Sequence, residues 1–199
     1  MGGQVHGGIE RERRKWLAGR ERELSRLATK QYGVVSRRQL IAGGLTDRMI
    51  DRRLESGRLH SLHRGVYAVG HQTLTVRSSW MAGVLSCGEG AVLSHRSAAA
   101  LWGLIRPRGR EIDVLAQMGQ ARRGKRSGGL RVRTVGLAPE DREIVAGIPV
   151  TSLARTLLDL ADVVDERTLE RAFEEADRLG LLELKAVEEA CGRGRDGGD

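Results

Sequence analysis

An α+β fold in two parts is predicted by three observations in this 199-residue chain. A helix, glycine, helix, hairpin pattern runs from Ser36 to Val69, short strand-like runs alternate with helices from about His71 onward, and the basic residues crowd the front while the acidic ones crowd the back. Ser36 is a good N-cap for a short helix ending near Ala42, and Gly43 and Gly44 supply a tight turn. Thr46 then caps a second helix from Asp47 to about Ser56, stopping at Gly57. In that second helix Met49, Ile50 and Leu54 recur at helical spacing, which leaves Asp47, Arg48, Asp51, Arg52 and Glu55 on the other face. Leu59 to Leu62 and Val66 to Val69 alternate like two short strands around His63, Arg64 and Gly65.

Helix, glycine turn, helix and hairpin together make a winged helix-turn-helix, with the second helix in a major groove and the wing beside it. The same outline also serves as a structural three-helix bundle or a protein-docking module, and arginines on a helix face are commonly only solvated. Ahead of the pair, Trp16, Leu17, Leu24, Leu27 and Ala28 mark a supporting helix between about Glu12 and Gln31 that ends at Gly33. Its basic first turns, Arg11, Arg13, Arg14 and Lys15, read as solvated surface ahead of phosphate contact.

Beyond the wing, a helix is expected from Thr73 to Leu85, a short strand at Ala91 to Leu93, and a small-residue helix from His95 to Gly103 capped by Ser94. Glu111 to Leu115 and Leu130 to Val135 read as strands joined by the loop QMGQARRGKRSGG. That loop carries Arg122, Arg123, Lys125 and Arg126, and reads equally as a solvated hairpin connection and as a second phosphate contact. Pro149 precedes a Thr151 or Ser152 cap and a helix to about Ala161, in which Arg155 and Asp159 stand at ion-pair spacing. Helices over Glu166 to Leu179 and Leu184 to Cys191 follow, split by Gly180. The expected organisation is an N-terminal winged helix-turn-helix, residues 12–70, followed by a small mixed α/β domain with C-terminal helices, residues 71–191, with disordered ends at 1–11 and 192–199.

Composition narrows the function. Residues 1–139 hold 26 Lys and Arg against 10 Asp and Glu, whereas residues 140–199 hold 8 against 16, so the net charge of +8 hides a basic front and an acidic back. The front attracts phosphate through counterion release, and the back suits contacts with protein. Six aromatics are too few for the stacking platforms that single strands or RNA require, which favours double-stranded DNA. Cys87 and Cys191 announce neither a disulfide framework nor a zinc site. No apolar run approaches a membrane span, and the charged start is unlike a signal peptide, so a cytoplasmic protein without a membrane partner is expected.

No catalytic constellation is found, and neither enzyme activity nor a cofactor or metal is expected. His60 and His63 have no partnering cysteine or carboxylate cluster, and His95 reads as a structural histidine in the first turn of an alanine-rich helix. The glycines show no phosphate loop or dinucleotide fingerprint. Glu111 to Asp113 lacks the closely following lysine of a nuclease strand.

The stretch LATKQYGVVSRRQLIAGGLTDRMIDRRLESGRLHSLHRGVYAVG resembles the N-terminal winged-helix domain of AbiEi-type antitoxins of type IV toxin-antitoxin, or abortive infection, systems. AVLSHRSAAALWGL and GIPVTSLARTLLDLA resemble the companion domain, particularly in actinobacterial members. The resemblance implies an autorepressing regulator that binds inverted repeats in its own promoter, with a second domain acting against a nucleotidyltransferase-like toxin. Longer relatives continue into a Vsr-like endonuclease domain; this chain is expected to lack it. The resemblance also puts base reading on Arg48, Asp51 and Arg52 and a backbone contact on Arg64. Arg37, Arg38, Arg58 and His63 complete the backbone candidates. The alternative function is a protein-interaction module that neutralises a toxin or works with an endonuclease, with only non-specific DNA affinity.

Overall fold

The computed structural model describes residues 19–70, 74–117 and 129–195. The chain forms two compact units, Met1–Ser78 and Ser79–Asp199.

In the first unit a helix, α1, covers residues 19–30 and is followed by β1 (Val34–Ser36), α2 (Arg37–Ala42), α3 (Asp47–Glu55), β2 (Leu59–His63) and β3 (Val66–Val69). The three strands form an antiparallel sheet in the order β1-β3-β2. Hairpin and helix pair agree with expectation, and the N-terminal region is a winged helix-turn-helix. Strand β1 is an addition: Val34, Val35 and Ser36 pair with Ala68, Tyr67 and Val66. Ala28, Val35, Leu40, Leu45, Ile50, Leu59 and Tyr67 close into one core that draws on every element of the unit. Apolar spacing dictates this, because each short helix offers only one or two residues to a common centre.

Helix α4 (Val76–Ser86) carries the division between the units at Ser78. The second unit continues with β4 (Val92–Leu93), α5 (His95–Trp102), β5 (Ile112–Ala116), β6 (Leu130–Thr134), a 3-10 turn (Pro139–Asp141), β7 (Arg142–Val145), β8 (Ile148–Thr151), α6 (Leu153–Ala161), α7 (Glu166–Arg178) and α8 (Leu184–Arg195). Its five strands run in the order β6-β5-β4-β8-β7, a mixed sheet with β5–β6 and β4–β8 parallel. The three last helices bury Leu153, Leu157, Leu160, Ala172 and Ala176 in a core with Ala99 and Leu104. Gly83 on α4 permits a close approach to the sheet, since a β-carbon there would lie 2.9 Å from Ile112 Cγ2 and 3.2 Å from Leu130 Cδ1.

Two expectations need correction here, and one element is an addition. Strands β5 and β6 do not form a hairpin: Ile112 to Ala116 pair in parallel with Leu130 to Thr134. Alternation predicts a strand but not its direction. Ser94 occupies the N-cap position of α5 but makes no side-chain cap bond, because its hydroxyl instead meets His95 Nδ1 at 2.9 Å. The β7–β8 hairpin was not anticipated; it turns through Ala146 and Gly147, both at positive φ (49° and 75°). Such a two-residue turn ordinarily announces itself with Asn-Gly or Asp-Gly.

Candidate nucleic-acid interface

The local chemistry that sets the helix pair begins at Ser36. Its hydroxyl accepts from the Gln39 amide at 3.2 Å while Gln39 Oε1 accepts from the Ser36 amide at 2.9 Å, a reciprocal capping box. Gln39 also donates to Gln31 Oε1 at 2.6 Å, tying the cap to the end of α1. After α2 the backbone reverses at Gly44, φ +82°, whose carbonyl accepts from the Arg20 guanidinium. A β-carbon at Gly44 would meet both a strained dihedral and that guanidinium. Thr46 then caps α3 through the Met49 amide at 3.3 Å.

Ile50 is fully buried and Met49 and Leu54 pack against the same core, which fixes the rotation of α3. Arg53 turns inward, pairing with Glu21 of α1 at 2.9 Å. Arg48, Asp51, Arg52 and Glu55 are all exposed. At 3.6 residues per turn these four positions fall within about 100° of arc, a single stripe. Two arginines and two carboxylates share it, so the stripe itself has no net charge. The surrounding surface supplies the positive field: residues 19–78 hold twelve Lys and Arg against five Asp and Glu.

The wing places Arg64 at its tip. His63 pairs with Val66, so Arg64 and Gly65 form the turn, with Gly65 at φ +74° and Arg64 exposed. A bulge between Ser61 and His63 bends β2 just before that turn. His63 is half-buried, and burial lowers its pKa, so the ring is neutral at pH 7 and offers a hydrogen bond without a charge. Arg38 and Arg58 are exposed. Arg37 is engaged within the unit: its guanidinium pairs with Asp47 at 2.8 Å and donates to Tyr67 Oη at 3.3 Å, while its amide donates to the Gly65 carbonyl at 2.7 Å. One residue thus links the start of α2, the start of α3 and the wing. Sequence reading missed this because its partners stand ten and thirty positions along the chain. Arg122, Arg123, Lys125 and Arg126 lie outside the described residues.

In the second unit the expected Arg155–Asp159 pair forms at 2.7 Å and extends further. Buried Asp141 accepts from Arg155 at 3.4 Å and from Arg193 at 2.9 Å. His95 is buried at φ +47°, its pKa pushed down to about 4 by burial, with Arg133 and Arg155 adding to the shift. Asp159 Oδ2 lies 4.0 Å from His95 Nδ1 and has no hydrogen-bond partner. Burial raises the pKa of Asp113, against the opposing Arg133 guanidinium 3.4 Å away. Among the described residues no group of three His, Cys, Asp or Glu is arranged to hold a metal, and no helix is long and apolar enough to cross a membrane.

A capped helix pair on a common core, with an arginine-bearing stripe and a hairpin wing, gives the first unit the architecture of a winged-helix domain. Residues 22–70 match the model of a family described as transcriptional regulators, AbiEi antitoxin. No curated protein matches the chain.

Proposed function

We propose that this chain is a cytoplasmic DNA-binding repressor that reads inverted repeats in its own promoter with α3 and holds the backbone with its wing. The observation that carries the reading is the stripe on α3. A helix that merely attracted phosphate would not present Asp51 and Glu55 beside Arg48 and Arg52. Base edges accept such a mixture: arginine bridges guanine O6 and N7, and a carboxylate accepts from the cytosine amino group. Phosphate contact then falls to the flanking residues, Arg38, Arg58 and Arg64, with His63 as a neutral donor. Arg37 acts chiefly by bracing α3 against the wing. The basic loop with Arg122, Arg123, Lys125 and Arg126 is a second place for backbone contact.

The division of labour follows the two units, and the acidic excess falls in residues 140–199, with 16 Asp and Glu against 8 Lys and Arg. Residues 12–70 read DNA, and residues 71–191, which include the acidic back, meet protein, with a nucleotidyltransferase-like toxin as the partner. The chain acts without catalysis, so plasmid incubated with it and magnesium or manganese is expected to stay intact; cleavage abolished by Asp113→Asn would contradict this.

The deciding experiment is a titration of the full chain against duplex from its own upstream region and against random duplex at two salt concentrations. Promoter affinity is expected to exceed random affinity and to fall by roughly a hundredfold or more from low to moderate salt if about six phosphates are engaged. Equal affinity for the two duplexes would remove the repressor reading and leave a protein-interaction module with electrostatic DNA affinity.

A further inference from the structure

The second unit carries a groove of about 380 Å³ that the DNA reading does not use. Its apolar lining comes from Trp102 at the end of α5, Leu153 at the start of α6, Leu181 ahead of α8, and Val187 within it. The Trp102 indole is fixed, since Nε1 donates to the Thr151 carbonyl at 3.0 Å. Four carboxylates share the groove: Glu140 and Glu143 from the 3-10 turn and β7, and Glu183 and Glu189 from the α8 side. All four are exposed. Arg193 also lines it, but its guanidinium is held by buried Asp141 at 2.9 Å, and Glu189 pairs with Lys185 at 3.8 Å, so Glu140, Glu143 and Glu183 carry the groove's negative charge. Leu181, among the apolar residues of the lining, is 39% exposed.

We propose that this groove docks a cationic amphipathic segment of a partner protein, with lysine or arginine heads among the glutamates and an apolar side chain against Trp102, Leu153 and Val187. Charge complementarity selects the occupant. A neutral apolar segment would desolvate the carboxylates without pairing them, and an acidic segment or a nucleic acid would be repelled. Arginine gains further from the indole face, which attracts a guanidinium. The inference stands apart from promoter binding, because none of these residues belongs to the winged helix.

The test uses the full chain and a fluorescein-labelled, capped helical peptide with leucines on one face and arginines on the other, followed by anisotropy. Two comparators are made, one with serine for every leucine and one with glutamate for every arginine. The arginine–leucine peptide is expected to bind at least about tenfold tighter than either comparator, because charge and apolar contact are both required. Glu143→Lys combined with Glu183→Lys should weaken it by about tenfold or more, as should Ala186→Trp, which fills the groove from α8. Promoter affinity should not change in either variant. Circular dichroism checks that each variant folds, and either folded variant suffices. Serine and leucine peptides of equal affinity would mean adsorption to a charged surface and overturn the proposal, as would binding that both variants leave intact. Self-association of the unliganded chain, abolished by the paired lysine substitutions, would assign the groove to a second copy and overturn it likewise.

Discussion

His95 should make the stability of the second unit pH-dependent, with a sign fixed by its surroundings. Its folded pKa is pushed down to about 4 from an ordinary 6.5, first by burial and then by Arg133 and Arg155. Between those values the unfolded chain binds the proton and the folded chain does not, so stability must rise with pH across the window. The contribution is fully present above about pH 6.5 and is lost as the pH falls toward 4. A shift of this size corresponds to about 3 kcal/mol at most, since each unit is worth roughly 1.4 kcal/mol. Asp159 works against it: burial raises its pKa, so the fold gains from its protonation as pH falls through the raised value. The total slope therefore mixes signs, and the difference between wild type and a His95 variant isolates the histidine. Asparagine is the suitable replacement, because it tolerates the left-handed backbone at φ +47° and can still bond to Ser94. Urea unfolding at pH 7 and pH 4.5, followed by the fluorescence of Trp80 and Trp102, measures both proteins. Wild type is expected to lose about 2 kcal/mol more than His95→Asn over that interval. Equal losses would show that His95 is protonated in the fold without penalty and would refute the reasoning from burial.

Three further outcomes are expected. Arg52→Ala should lower promoter affinity much more than random-DNA affinity, by about 1–3 kcal/mol, whereas Arg64→Ala should lower both alike and reduce the salt slope by about one, as competition binding at two salt concentrations would show. Equal weakening of both duplexes by Arg52→Ala would take base reading away from α3. Gly83→Val should destabilise the second unit by about 1–3 kcal/mol in thermal melts, because the added carbons enter the space of Ile112 and Leu130; an unchanged melting temperature would mean that α4 shifts freely. Ala146→Asn should raise the stability of the β7–β8 turn by up to about 1 kcal/mol, since asparagine is more at ease at positive φ than alanine, and a fall in melting temperature would count against the turn geometry.

Much of the first unit was legible because its determinants are local. Ser36 and Thr46 are caps one residue from their helices, Gly44 marks the reversal, and the apolar spacing of Met49, Ile50 and Leu54 alone turns the arginine stripe outward. What escaped was non-local. Strand β1 has three residues, too few for alternation to register, and exists because Val34 to Ser36 find β3 thirty positions later. The direction of β6 beside β5 leaves no trace in either strand's pattern. Arg37 looked like a phosphate ligand from its neighbours in sequence, and its engagement appears only once Tyr67 and Asp47 are brought to it. In the second unit the Arg155–Asp159 spacing was readable, whereas the convergence of Arg155 and Arg193 on Asp141 requires the fold.

Strand β1 passes into α2 without a linker, with Ser36 serving at once as the last paired residue of the sheet and the cap of the helix. Its neighbour Arg37 bonds by its amide to the wing turn and by its side chain to the first residue of α3. Helix α3 and the wing therefore meet at one joint, where an amide hydrogen bond and an ion pair from a single residue, rather than a flexible tether, tie the two together. Such a joint makes the two parts unequal under evolution. Substitutions on the outer stripe of α3 leave the frame untouched, while a single residue inserted between Ser36 and Arg37 would turn every side chain of α2 by about 100° and dismantle the frame outright. Diversity among proteins built this way should accumulate at positions 48, 51, 52 and 55, and length changes should fall elsewhere.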